Sequence, residues 1–247
     1  MGLAPLWRLR AQDAMDTVLT EATQPAVPVG GEVVQSPPQV RAERAPSRGD
    51  AQVLPVSAAP AVMADGMDWD TLEAAIRGCQ ACALHEKRRQ AVPGVGDRQA
   101  DWLFVGEGPG AEEDQRGEPF VGPAGKLLDA MLAAIGLARG RDVYIANAVK
   151  CRPPGNRTPE AGEISTCHPF LERQIELLQP RIIVALGRPA AQTLLGGEVK
   201  IGAARGRRFD RNGVPVVVTY HPAYLLRNPQ DKAKAWEDLC FARDSIV

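Results

Sequence analysis

The sequence predicts an α/β fold in which helices cover both faces of a parallel sheet. Three observations carry that expectation. Four short apolar runs, at 102–105, 143–149, 181–186 and 214–220, read as buried strands. Stretches of helical period separate them, so each strand returns through a helix to lie parallel to another. The strand ends carry Gly106-Glu107, Asn147, Gly187 and His221, and ligands of such sheets bind beyond the carboxyl ends of the strands.

The bulk properties narrow the class. The chain has 247 residues, enough for one sizeable domain or two small ones. Residues 1–67 hold five of the 29 basic and seven of the 30 acidic side chains, which leaves the remainder at 24 to 23. That balance makes no general electrostatic case for nucleic acid, and such binding needs a local basic patch. No apolar run suggests a membrane span, and residues 1–10 lack the apolar segment of a secretory signal. The expectation is a cytoplasmic protein, in which five cysteines do not form a disulfide framework.

Taken in order, residues 1–67 read as a disordered Pro/Ala-rich tail. Only 6–22 has some helical period, and 24–64 cannot bury enough apolar surface to offset its ordering entropy. A segment for a protein partner is its alternative use. Residues 68–247 are the folded domain. Asp70 is placed to cap a helix over 71–77, with Glu73 at the third position. Cys79-Gln80-Ala81-Cys82 and a basic Lys87-Arg88-Arg89 follow. The strand at 102–105 enters a glycine-rich stretch. Leu127, Leu128, Met131, Leu132 and Ile135 then share one face of a helix over 124–136. Beyond the second strand, 152–156 is a loop, and Pro159 occupies the favoured first position of a long helix through Leu178. A helix over 189–195 follows the third strand. Residues 196–213 are loop-rich and basic, and a final helix spans 231–243.

The stretch from Gly106 to Leu128 must pass its backbone close to something. It is not a dinucleotide fingerprint, because its spacing is G-x-G-x-G and Glu112-Glu113-Asp114 would repel a pyrophosphate. Nor is it a P-loop: Phe120 stands where the first glycine belongs, and Leu127 where Ser or Thr holds magnesium. A carboxylate (Glu107), an aromatic face (Phe120) and free amides suit a flat polar ring better. Asn147 ends a buried strand, and its amide needs partners at both ends. Uracil offers O4 to the amide NH2 and N3–H to its oxygen, whereas cytosine offers the reverse. His221 is one of three histidines and would alone read as a satisfied structural residue, but it stands at a strand end before Pro222. Just beyond, Leu225-Leu226-Arg227 can wedge into a base stack. Four thiols, Cys79, Cys82, Cys151 and Cys167, suit either a tetrahedral zinc or a [4Fe–4S] cluster, and spacing does not choose between them. Cys240 falls on the apolar face of the last helix and reads as core.

Together these motifs resemble the family 4, iron–sulfur uracil-DNA glycosylases, from Trp69 to Ala242. The resemblance rests on Cys79 and Cys82, Gly106-Glu107-Gly108-Pro109-Gly110 and Pro119-Phe120-Val121-Gly122. It continues through Asn147, Lys150-Cys151-Arg152-Pro153-Pro154, Cys167 and His221-Pro222-Ala223-Tyr224-Leu225-Leu226. Gly108 departs from the alanine usual in that family. The resemblance implies a three-layer α/β/α sandwich around a four-stranded parallel sheet. It implies a [4Fe–4S] cluster on Cys79, Cys82, Cys151 and Cys167. It also implies a monomeric, nucleoid-associated DNA repair hydrolase that removes uracil from single- or double-stranded DNA and leaves an abasic site. In that scheme Phe120 stacks on the flipped base and Asn147 reads its edge. Gly106 and Gly108 bring backbone amides close, and His221 steadies the departing uracil anion. Glu107 positions water or stabilises the sugar cation, and Leu225, Leu226 and Arg227 fill the gap in the DNA. A glycosylase with broader deaminated-base specificity, or a non-catalytic uracil-DNA-binding module of replication, shares the frame. The joint presence of Glu107, Phe120, Asn147 and His221 favours the enzyme.

Overall fold

A computed structural model describes residues 63–246 of the chain, and the tail predicted over 1–67 lies outside it up to residue 62. Six strands form one sheet: β1 (Val95–Gly96), β2 (Trp102–Gly106), β3 (Val143–Asn147), β4 (Ile182–Leu186), β5 (Arg208–Arg211) and β6 (Val214–Thr219), in the order β1-β3-β2-β4-β6-β5. The inner four are parallel and are the strands that the sequence predicts. Two short antiparallel strands, β1 and β5, extend the sheet at its edges. Neither announces itself by apolar content. The first has two residues, one of them glycine, and the second reads Arg-Phe-Asp-Arg and is half exposed. Charged side chains on an edge strand discourage pairing with another chain. Asn212 (φ 51°) and Gly213 (φ 87°) turn β5 into β6, the left-handed pair that a two-residue hairpin requires.

Among the described residues, eight α-helices connect and cover the strands: α1 (Trp69–Gly78), α2 (Ala111–Arg116), α3 (Pro123–Ala134), α4 (Ala161–Leu178), α5 (Arg188–Leu195), α6 (Ile201–Ala204), α7 (Pro222–Arg227) and α8 (Lys232–Ser245). Two starts differ from the prediction. Asp68, not Asp70, caps α1 by accepting from the Thr71 amide at 2.8 Å, while Asp70 pairs with Arg98 at 2.9 Å. The helix begins earlier because Trp69 packs its ring against Tyr144, with centroids 5.0 Å apart. α4 begins later than Pro159, because Glu160 and Glu163 form a reciprocal capping box.

Alternation along the strands divides the core. Leu103 and Val105 of β2 face a layer with α4 and α5, and Trp102 and Phe104 face α3 and α8. That is the three-layer sandwich. A third apolar cluster joins Leu72 and Ile76 of α1 to Cys167 and Phe170 of α4. Ala64, ahead of the predicted domain start, is buried in it.

Candidate active site

A cleft of about 800 Å³ opens at the carboxyl edge of the parallel strands. The chain steps from β2 to β3 on one side and then to β4 on the other. Loops therefore diverge around the end of β2, where open α/β sheets bind ligands. Each inner strand delivers a residue there: Glu107 after β2, Asn147 at the end of β3, Arg188 after β4, and Tyr220 with His221 after β6.

Glycines set the closeness of this arrangement. A Cβ on Gly106 would stand 2.4 Å from the Asn147 Oδ1 and 2.6 Å from the Phe120 ring. A Cβ on Gly108 would meet Val149 at 2.7 Å, so the loop lies flat against the start of the next segment. Phe120 is buried and has φ 55°, a left-handed conformation that a bulky side chain adopts only when its surroundings compel it. Its ring centroid lies 5.4 Å from that of His221. The Arg139 guanidinium donates to the carbonyls of Pro119 at 2.9 Å and Phe120 at 2.7 Å. The Glu113 carboxylate accepts from the amides of Val121 at 3.0 Å and Gly122 at 3.1 Å. Asp114 accepts from the Arg89 amide at 2.9 Å. Of the acidic run on α2, Glu113 is thus spent on ordering this loop and Asp114 on the amides of Arg89 and Gln90, rather than on repelling a ligand.

Asn147 is buried at 2 % exposure, and its Oδ1 has no hydrogen-bond partner. A buried amide oxygen without a donor is uncommon in a folded protein. Its backbone is held firmly: the buried Lys150 Nζ donates to the Asn147 carbonyl at 2.8 Å and to Gln174 Oε1 at 2.6 Å. The residue therefore stands at the cleft on a fixed backbone, with an acceptor still unsatisfied.

His221 caps α7, its Nδ1 accepting from the Ala223 amide at 3.1 Å. Burial and the nearby Arg227 charge push its pKa down to about 4, against a smaller opposing pull from Glu113. The imidazole is neutral at ordinary pH with its proton on Nε2, so it acts towards the cleft as a donor. Glu107 is shifted the other way. Burial raises its carboxyl above the ordinary carboxylate range, with Thr158 and Arg188 opposing. A poorly solvated carboxylate and a neutral imidazole thus share one cleft.

Leu225, Leu226 and Arg227 of α7 separate. Leu225 is 1 % exposed and packs beside α3 and α8, so it is core. Leu226, at 46 % exposure, and Arg227 stand at the surface. Helical geometry causes the division, since consecutive residues of α7 point about 100° apart. Arg157, Arg188 and Lys200 are exposed on the cleft rim together with Arg227. Except for Arg227, sequence reasoning did not select them. Arg188 could have been found, because it directly follows a strand-end glycine.

The four selected cysteines gather away from the cleft. Cys151 and Cys167 are buried in the third apolar cluster, and Cys79 and Cys82 pack against it. Burial pushes the Cys167 thiol up to about 12 and raises those of Cys82 and Cys151. N–H groups already point at two of the sulfurs. Arg88 donates to Cys151 at 2.9 Å, and the Lys150 amide to Cys167 at 3.2 Å. Among the described residues, no three His, Cys, Asp or Glu side chains are drawn together around a single metal ion. Cys240, partly buried on α8, stands apart from them.

Known proteins share this chain's pattern. The sequence model of the Uracil DNA glycosylase superfamily matches residues 93–240. A type-4 uracil-DNA glycosylase of Pyrobaculum aerophilum is 45% identical over 181 residues, covering 70% of this chain and 92% of that protein. One of Archaeoglobus fulgidus is 47% identical over 169 residues, 65% of this chain and 84% of that protein. Another, of Thermotoga maritima, is 47% identical over 161 residues, with coverage of 64% and 83%.

Proposed function

The chain belongs to the uracil-DNA glycosylase superfamily, in its type-4 branch, and we propose how its cleft excises uracil in DNA repair. A base inside a duplex cannot be reached, so the nucleotide is flipped out into the cleft. Phe120 stacks on the uracil ring. Asn147 accepts from N3–H through Oδ1 and donates to O4 through its NH2. The observation that carries this reading is the orphaned Oδ1 of Asn147, a buried acceptor without a donor on a residue that lines the cleft. Uracil brings that donor, whereas cytosine brings a second acceptor at N3 and leaves the oxygen unpaired.

Breaking the N-glycosidic bond puts positive charge on the sugar and negative charge on the departing base. The neutral His221 donates from Nε2 to the uracil oxygen on which that charge develops, with the glycine-rich loop's amides beside it. Glu107, ionised, positions the water or stabilises the sugar cation. Leu226 enters the vacated stack, and Arg227 with Arg157, Arg188 and Lys200 contacts phosphates. The product is free uracil and an abasic site.

We also read Cys79, Cys82, Cys151 and Cys167 as holders of a [4Fe–4S] cluster. The donor set fits. It is all thiol, the four cysteines join one apolar cluster, and N–H groups face two of the sulfurs. When bound, the cluster supplies a cross-link between the end of α1, the loop after β3 and α4. That loop continues through Pro153–Pro159 into the cleft wall.

The experiment is direct. Purified protein is incubated with single- and double-stranded oligonucleotides carrying one uracil, then treated with alkali. Strand scission at the uracil is expected, and its absence refutes the enzyme reading. An Asn147→Ala variant as active as the parent removes the base-reading role. Colourless anaerobic protein with stoichiometric zinc and no iron overturns the cluster.

A further inference from the structure

We propose that Glu113 and Arg139 form a two-sided clamp that fixes Phe120 as the base-stacking platform, which makes both of them positioning residues for uracil excision. The proposal rests on the reading of Phe120 given above. The segment Pro119–Gly122 has two carbonyls and two amides engaged in sequence. One guanidinium takes the carbonyls of Pro119 and Phe120, and one carboxylate oxygen takes the amides of Val121 and Gly122. Arg139 therefore holds the peptide planes on both sides of Phe120, and Glu113 holds the plane after it from the opposite edge with the opposite charge. Hydrogen bonds to ionised groups are roughly twice as strong as neutral ones.

The holders are themselves anchored. Arg139 donates from Nε to Asp129 of α3 at 3.0 Å. Glu113 lies on α2 and lines the cleft. Gly125 completes the cradle, since a Cβ there would fall 1.7 Å from the Phe120 carbonyl oxygen. These contacts over-determine a φ of 55° that Phe120 would otherwise leave. Strain of this kind persists where it positions a ring, and this ring lies beside His221 in the cleft.

The chain has five phenylalanines, so 4-fluorophenylalanine labelling gives five fluorine resonances, and the one lost in Phe120→Leu belongs to Phe120. In Arg139→Gln and Glu113→Gln the Phe120 resonance is expected to shift or broaden while the other four stay in place. Single-turnover excision should fall about 10- to 100-fold, the range for lost charge-assisted contacts at a preorganised site. Arg139→Lys should recover part of the rate, since an ammonium keeps the charge but not the planar fork. An unmoved Phe120 resonance in both variants overturns the clamp. So do five resonances moving together with a lowered melting temperature, which would mark general support of the fold. If Phe120→Leu excises uracil at the parental rate, the platform reading fails instead, and the resonance test still decides whether the clamp exists.

Discussion

Replacing Gly106 by alanine tests the packing on which the whole cleft depends. The new methyl would stand 2.4 Å from Asn147 Oδ1, 2.6 Å from Phe120 Cζ and 2.7 Å from Phe120 Cε2, where ordinary contacts begin at 3.4 Å. The amide oxygen must retreat by about 1 Å and the ring by nearly as much, unless β2 itself shifts. Asn147 cannot yield through its backbone, which is paired with β2 and held by Lys150. Phe120 cannot yield freely either, because its peptide is held from both sides. A 1 Å misplacement of groups that position a substrate can cost on the order of 100-fold in rate. Overpacking a rigid site adds a stability cost of about 1–3 kcal/mol. Gly106→Ala should therefore lower single-turnover excision of uracil by about 100-fold, with only a modest fall in melting temperature. Gly162→Ala is the matched control. It lies in the first turn of α4 with nothing within 4 Å of its Cβ, and it should leave the rate unchanged. A Gly106→Ala enzyme with parental kcat/KM would show that the cleft tolerates the added methyl.

Four further expectations rest on the same geometry. Because Glu107 is raised by burial, the acid limb of the kcat/KM profile should lie above the ordinary carboxylate range, and Glu107→Gln should flatten that limb and lower the rate. His221 takes up a proton at about 4 when folded but near 6.5 when unfolded, so the unfolded chain binds more protons between those values. Its contribution is complete above pH 6.5 and is lost as pH falls to about 4, by up to ~3 kcal/mol, which denaturant titrations of parent and His221→Phe would resolve. Leu225→Ala should cost about 2–5 kcal/mol in unfolding experiments, as buried leucines do, whereas Leu226→Ala should leave stability unchanged and slow excision from duplex more than from single strands. Arg188→Ala should reduce the slope of log affinity against log salt for duplex DNA by about 0.9, the value for one phosphate contact.

Much of this architecture is legible in the chain because its signals are local. A strand buried on both faces must be apolar throughout, so β2, β3, β4 and β6 are visible as runs. The edge strands escape that logic, because β5 is half exposed and charged and β1 has two residues. The Asn212-Gly213 pair before β6 is nevertheless a hairpin signal present in the sequence. The acidic run Glu112–Asp114 reads as repulsion in one dimension. In three dimensions Glu113 and Asp114 accept from amides that a linear reading cannot bring near them.

Which residues stand at the strand ends, and in what motif order, is a property of the chain alone. Asn147, His221, Glu107, Phe120 and the four thiols are all readable there. Their environments come from the folded chain. The orphaned Oδ1, the neutral His221 and the raised Glu107 arise from desolvation and from partners far along the chain. The same holds for Leu225 and Leu226, adjacent leucines of equal composition. The packing of α7 against α3 and α8 sends one into the core and leaves the other exposed. The glycine-rich stretch shows the boundary most sharply. Its sequence says that the backbone passes close to something, and the fold supplies the neighbours: the Asn147 amide and the Phe120 ring at Gly106, and the Phe120 carbonyl at Gly125.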